Sequence, residues 1–227
     1  LTDGSLMAIK DGVAWTLLPF VEGGILGLDE DSVRSLGETQ ARMHLIPVAD
    51  CFPKSYRMGF ELFEEVISLS SRMGVSNPFV EMLSSRIAET KLDFPSDLPM
   101  GVLHGDLFPD NVIGGGGGVS AILDLEEAWI GPMAFDIAMS CVGFGWDGTV
   151  PVWSRWKALF DGYQSVRKLS QKEVDCLPFL HQFATLCIAS WRFWKHNLRE
   201  PDELLSNRYV EMVHRLSVEI DFSEVLG

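Results

Sequence analysis

The chain is poor in basic residues: 18 Lys and Arg stand against 32 Asp and Glu, a formal net charge of −14. A sequence-independent grip on nucleic-acid phosphates needs clustered cations, so that class of function is excluded. An acidic surface favours solubility and mildly attracts cationic substrates. Cysteine is also scarce. Cys51, Cys141, Cys176 and Cys187 lie far apart, and none sits in a CxxC or Cys/His ligand spacing. They read as reduced, mostly buried thiols of an intracellular, cytoplasmic protein. Long apolar runs are missing as well. The two most apolar stretches, 128–146 and 176–194, are broken by Pro132 and Asp136 in the first and by Pro178, His181, Gln182 and Arg192 in the second. Neither is a bilayer span. No signal peptide and no internal repeat are visible. The sequence opens on Leu1 rather than Met, already inside strand-like sequence, which leads us to expect a further segment upstream.

What is present suffices for a large core: 227 residues, 47% of them hydrophobic. Residues 5–20, SLMAIKDGVAWTLLPF, read as two short strands joined at Asp11-Gly12, a dipeptide that tolerates the positive φ of a tight hairpin. They run into PFVEGG, a Pro/Gly-bounded connector. From Asp29 the pattern turns helical, with Val33, Leu36, Met43 and His44 spaced for one face. Helices are also expected near 56–73, with Gly74 as a stop, and near 78–91. Strand character returns as GVLH, NVI and VSAILD between residues 101 and 124. After Pro151 the remainder reads as helical: VWSRWKALFDGYQSV, a long helix starting at the capping box Ser170-Gln171-Lys172-Glu173, and a last one from about Asp202 to Leu216.

The stretch from 101 to 128, GVLHGDLFPDNVIGGGGGVSAILDLEEA, concentrates the candidate chemistry. Its five glycines carry no lysine and open no helix, so they are not a phosphate loop of the GxxxxGK[ST] kind and read as a hairpin turn. With that turn centred near Gly116, Ile113 is expected to face Val119 and Asn111 to face Ala121. The hairpin then returns Asp124 to the open end that also holds Asn111 and the loop with Asp106. Taken singly, Asp106 and Asp110 could be loop caps and Asn111 a turn former. Together, two aspartates and an asparagine offer hard oxygen donors suited to Mg²⁺, which is commonly bound by few protein carboxylates plus substrate phosphates.

These residues also carry a resemblance. His104-Gly105-Asp106, four residues, Asn111, and then Ile122-Leu123-Asp124 resemble the HGDxxxxN and (I/L)D signature of the aminoglycoside phosphotransferase and choline kinase superfamily, relatives of the protein kinases. Gly131-Pro132 with Asp136-Ile137-Ala138 is similar to the family's GPxxxDxA stretch. Within the superfamily, HGDLFPDNV, LLPFVEGG, LGETQARMH, ALFDGYQSVRKLSQKEVDCLP and the later WRFW look most like homoserine kinases of the phosphotransferase type.

The resemblance implies an α+β, protein-kinase-like fold: residues 1–24 as a remnant of a nucleotide-binding N-lobe, and 25–227 as a mostly helical C-lobe with an embedded catalytic hairpin. It implies ATP and Mg²⁺ as cofactors and a small hydroxylated metabolite, homoserine first, as acceptor. Asp106 is then the catalytic base, and Asn111 and Asp124 the metal ligands. Pro19, Phe20 and Val21 are the hinge that meets adenine, while His104 and Asp136 support the loop. Glu126 and Glu127 stand where homoserine kinases tend to carry aromatics, so they are candidates for an acceptor ammonium, and Arg192 is a candidate for an acceptor carboxylate.

Lys10 in MAIK imitates a kinase phosphate lysine, but nine residues separate it from Phe20. That is too few for the intervening helix, so Lys10 reads as a surface residue and the true lysine is expected upstream. Other acceptors of the superfamily (choline, ethanolamine, hydroxylysine, a sugar or an aminoglycoside) and a non-catalytic kinase-like binding protein are the rival readings. A metal-dependent hydrolase is disfavoured because His104 has no second histidine at ligand spacing. The sequence leaves the oligomeric state open.

Overall fold

The computed structural model of the chain describes residues 7–226. The first hairpin pairs β1 (Ala8–Lys10) with β2 (Val13–Trp15). It turns at Asp11 and Gly12, both at positive φ, as that dipeptide predicts. The strands are shorter than the stretch expected for them, and part of that stretch, Ser5 and Leu6, lies outside the described residues. A two-residue strand, β3 (Gly24–Ile25), follows. Asp29 caps the next helix by accepting from the Ser32 amide, opening α1 (Glu30–His44).

Helix α2 (Phe60–Met73) ends on Gly74 in the left-handed conformation. It starts four residues later than expected, because Tyr56 and Arg57 are drawn away to partners on another segment. Helix α3 (Pro78–Asp93) begins with Pro at its first position and Asn77 as cap. Strand β4 (Met100–Leu103) pairs antiparallel with β7 (Trp129–Pro132). Between them lies the central hairpin, β5 (Val112–Gly115) and β6 (Gly118–Ile122), to which β3 adds an edge.

The hairpin corrects the expected register. Ile113 faces Ala121, not Val119, and Gly114 faces Val119, with a bulge between Ile113 and Gly114. Gly116 and Gly117, both at positive φ, form a two-residue turn, and the bulge absorbs the odd residue. The open end survives this shift: the Leu123 amide donates to the Asn111 carbonyl at 2.8 Å.

Helix α4 (Met133–Phe144) had no counterpart in the sequence reading. Eleven of its residues are buried, Asp136 among them. A helix buried all round shows no amphipathic period, which is why its sequence reads merely as apolar. After the short hairpin of β8 (Trp146–Asp147) and β9 (Val150–Pro151) come α5 (Trp153–Val166) and α6 (Gln171–Phe193), the latter opening at the full Ser170/Glu173 capping box. The last long helix, α7 (Arg208–Leu216), starts later than Asp202. The Asp202 carboxylate instead takes the Leu204 amide at 2.9 Å, a local turn that competes with helix. Helix α8 (Phe222–Leu226) closes the chain. One continuous core runs through the helices, with Phe63, Phe135, Trp156, Tyr163 and Phe193 among its largest fully buried side chains. Among the described residues no helix is long and apolar enough to cross a membrane.

Candidate active site

The site is built from its underside. Helices α1 and α5 touch backbone to backbone, because any Cβ on Gly37 would strike the Leu159 carbonyl and any on Gly162 the Arg34 carbonyl. That approach brings His44, in the last turn of α1, against Tyr163, the neighbour of Gly162. The Tyr163 hydroxyl lies 2.7 Å from His44 Nδ1, and His44 Nε2 lies 3.0 Å from Asp136 Oδ2. Arg167 donates to the Tyr163 oxygen at 3.2 Å and to Glu173 at 2.8 Å. With Arg167 donating, the consistent pattern runs one way, Arg167 to Tyr163 to His44 to Asp136, each donor filling one acceptor.

Asp136 is fully buried and takes three further N–H groups: Gln40 Nε2 at 3.0 Å, the His104 amide at 3.2 Å and the Gly105 amide at 2.8 Å. Burial works to raise its pKa, but the hydrogen bond from His44, with the electrostatic influence of the His44 and His104 rings and the Gly105 amide, outweighs it and brings the carboxyl down to about 2. Asp136 therefore pins the backbone of the loop before Asp106. Tyr56 pins it from the other side, donating to the Gly105 carbonyl at 2.6 Å while its ring stacks on Trp129. Gly105 has φ +82°, and a Cβ there would lie 2.8 Å from the Glu127 carbonyl oxygen, so only glycine fits.

On this base His104 is an organiser. The Asp106 amide donates to its Nδ1 at 3.2 Å, which places the proton on Nε2 for donation to the Leu123 carbonyl at 2.7 Å. One neutral imidazole thereby ties the Asp106 loop to the end of β6. Asn111 closes the loop with its amide nitrogen, 2.8 Å from the Asp106 carbonyl and 3.5 Å from Asp106 Oδ2. Its side-chain oxygen has no hydrogen-bond partner among the described residues. Asp124 follows directly, in the left-handed conformation at φ +59°. Its carboxylate likewise has no partner among the described residues. A non-glycine residue held there is strained, and such strain clusters at functional sites.

Asp106 is part-buried, and burial lifts its pKa to about 6; His104 opposes the rise, while the charges of Asp110, Glu127 and Asp124 add to it. A crowd of carboxylates with two free hard-oxygen donors fits a divalent cation in chemical character. Among the described residues no group of three or more His, Cys, Asp or Glu side chains is gathered to hold a metal by itself.

The remaining expected site residues are placed less evenly. A cleft of ≈ 250 Å³ opens beside Asp106, and Glu126, Glu127 and Arg192 all line it. A second, of ≈ 400 Å³, shares Glu126, Glu127, Met58 and Trp191 with the first. Glu127 is buried and held by Arg57 through two nitrogens. Arg192 donates to Glu211 at 2.8 Å. Pro19 and Phe20 are exposed and Val21 is part-buried; they precede β3, whose Gly24 pairs with Gly114 of the hairpin. Lys10 is exposed beside the first turn, as expected. Tyr56, Arg57, Gln40 and Tyr163 escaped the sequence reading. No spacing marks them, since each meets its partner across 49 or more residues of chain.

Solved structures of small-molecule kinases share this architecture. A Plasmodium vivax ethanolamine kinase superposes with a TM-score of 0.70 at 14% identity, covering 96% of this chain and 68% of that one. An amicoumacin kinase gives 0.68 at 16%, covering 98% and 73%. The fold is therefore α+β and protein-kinase-like. The family model of the phosphotransferase enzyme family matches residues 3–169, and the chain belongs to that family. Among curated relatives, the homoserine kinase of Agrobacterium fabrum is 32% identical over 190 residues, 81% of this chain and 58% of that protein. The homoserine kinase of Rhizobium meliloti is 28% identical over 209 residues, 89% and 64%. The chain thus spans about three fifths of the length of these relatives.

Proposed function

We propose that the chain is the mostly helical part of an ATP-dependent kinase that transfers the γ-phosphate to the hydroxyl of a small metabolite, homoserine in the first place. The observation that carries this reading is the meeting of Asp106, Asn111 and Asp124 at the open end of one hairpin, above a loop pinned by Asp136. The homoserine kinases among its relatives favour that acceptor. Residues 1–24 belong, in this reading, to a nucleotide-binding lobe, with Pro19, Phe20 and Val21 as the hinge whose backbone meets adenine, and residues 25–227 form the catalytic lobe. The amicoumacin kinase was solved with AMP-PNP and Ca²⁺, which supports a nucleotide with a divalent cation here; we assign Mg²⁺. The protein acts in the cytoplasm.

Asp106 accepts the proton of the acceptor hydroxyl and aims its oxygen at the γ-phosphorus. Its raised pKa follows from a desolvated, acid-crowded position, and such a carboxylate is a stronger base than one in water. Asn111 fixes the Asp106 loop with its nitrogen and offers its oxygen, together with the Asp124 carboxylate, to the cation. When bound, the cation neutralises charge on the transferring phosphoryl group. His104 and Asp136 keep the loop in register and take no proton from the acceptor. An ADP-release screen over hydroxylated amines and amino acids tests the reading, with Asp106→Asn as control. We expect homoserine to be the best acceptor and the variant to lose roughly 10²- to 10⁴-fold in turnover. Undiminished turnover in Asp106→Asn refutes the assigned base.

A further inference from the structure

The cleft beside Asp106 has walls of opposite sign, and pairing within the protein cancels part of each. On the acidic wall Glu127 is buried and taken by Arg57. Glu126 has a side chain 71% exposed and meets Arg57 only at 3.9 Å. On the basic wall Arg192 is 12% exposed and consumed, donating to Glu211 at 2.8 Å and to the Arg208 carbonyl at 3.1 Å. Glu211 is in turn held by Arg215 at 2.6 Å. Arg208 lines the same cleft as Asp106. It is exposed, and its guanidinium has no hydrogen bond or ion pair among the described residues. Of the two arginines lining this cleft, Arg208 is thus the one left without a partner among the described residues, and it faces the carboxylates of Asp110 and of Glu126, which has only the 3.9 Å contact to Arg57.

We infer that Arg208 binds the carboxylate of an amino-acid acceptor, with Glu126 facing its ammonium group, and that Arg192 is a positioning residue that fixes the backbone at Arg208. The inference rests on the cleft beside Asp106 being the acceptor site. It replaces the expectation that Arg192 itself meets the carboxylate: a guanidinium already saturated by a carboxylate and a carbonyl has little left to offer, whereas a free planar fork matches a carboxylate with two parallel N–H donors. The device is one of specificity: an amino alcohol without the carboxylate leaves Arg208 unpaired and loses that interaction.

The test compares the intact enzyme with Arg208→Gln and Arg208→Lys, on L-homoserine and on 3-amino-1-propanol, which lacks the carboxylate. A parallel calorimetric titration of L-homoserine reads binding without turnover. Arg208→Gln should raise KM for L-homoserine roughly 10- to 150-fold, as for loss of hydrogen bonds to a charged group, with kcat and the KM for ATP nearly unchanged. Arg208→Lys should recover part of the loss, and the amino alcohol should be insensitive to both changes. Equal KM and equal calorimetric affinity for L-homoserine in wild type and Arg208→Gln overturn the inference. A wild type that uses the amino alcohol as well as the amino acid also overturns it, leaving the phosphotransferase reading intact. An enzyme that phosphorylates no alcohol sinks that reading instead, and the titration still decides Arg208: lost binding in Arg208→Gln supports it, retained binding ends it.

Discussion

Two carboxylates of the site, Asp106 on the open face of the loop and Asp136 beneath it, are shifted in opposite directions. Asp136 is the more deeply buried, yet its pKa falls to about 2, while the part-buried Asp106 rises to about 6. Burial penalises charge at both positions. What differs is the number of donors aimed at each. Asp136 collects two backbone amides, the Gln40 amide and the His44 ring, whereas Asp106 receives one long contact from Asn111 at 3.5 Å and is ringed by acids. The underside of the loop is satisfied and rigid. The face above it is left unsatisfied, as the proposed base and cation site requires.

The sharpest way to break this contrast is to remove each carboxylate in turn. Asp136→Ala strands the donors it collected, and loss of one partner of a buried charged network costs about 3–5 kcal/mol. At about 2–4 °C per kcal/mol for a chain of this size, the melting midpoint should fall by roughly 6–20 °C. Asp106→Asn should keep the wild-type midpoint or exceed it, because a desolvated charge is removed. Thermal melts of both variants decide the matter, and equal midpoints would end the distinction between foundation and working face.

Acid provides the next test. Asp136 has a folded pKa below its unfolded value of 3.8, so its contribution is complete above about pH 4 and is lost as pH falls toward 2. The shift corresponds to about 2 kcal/mol. His181 acts over a higher window. Burial, with Arg215 adding, lowers it from 6.5 to about 3, so the unfolded chain takes up its proton first and stability declines as pH drops from about 6.5 to 3. Urea midpoints measured from pH 7 to 2 should therefore fall in two stages. His181→Asn should flatten the upper stage and leave the lower one.

A smaller effect is expected midway along the buried chain. Tyr163→Phe deprives His44 Nδ1 of its donor and Arg167 of an acceptor, costing about 1–3 kcal/mol, and calorimetry should show a midpoint lowered by a few degrees. Least of all should follow from Gly116→Asn. Asn-Gly suits the two-residue turn that Gly116 and Gly117 make, so stability should stay within about 0.5 kcal/mol and the KM for ATP should not move. A raised KM for ATP there would show that the glycines touch phosphate after all.

Much of this contrast was legible in the chain, but unevenly. The proposed catalytic loop is local: His104, Gly105, Asp106 and Asn111 fall within eight positions, and Asp124 returns to them through a single hairpin. The starts at Asp29 and Ser170 and the stop at Gly74 are local too, and they marked helix starts and ends well. The hairpin register was misjudged because five identical glycines offer no side chain to choose a pairing; packing and the bulge at Ile113/Gly114 chose it. Helix α4 was missed because burial on every side erases the period by which a helix is recognised. Arg192 was a candidate for an acceptor carboxylate because its partner Glu211, on another helix, leaves no mark in the local sequence.

The sequence alone determined which residues meet at the proposed site, since Asp106, Asn111 and Asp124 at fixed spacing need only one loop and one turn to come together. It also determined the main helices, through caps and periodicity that act within a few residues. Tertiary structure decided which charges are spent: Glu127 against Arg57, Arg192 against Glu211 and Asp136 against His44, while Arg208 keeps no partner among the described residues. Such pairings join residues that are distant in the chain and depend on how helices approach. Only packing, such as the contact that Gly37 and Gly162 permit, brings them within hydrogen-bonding distance.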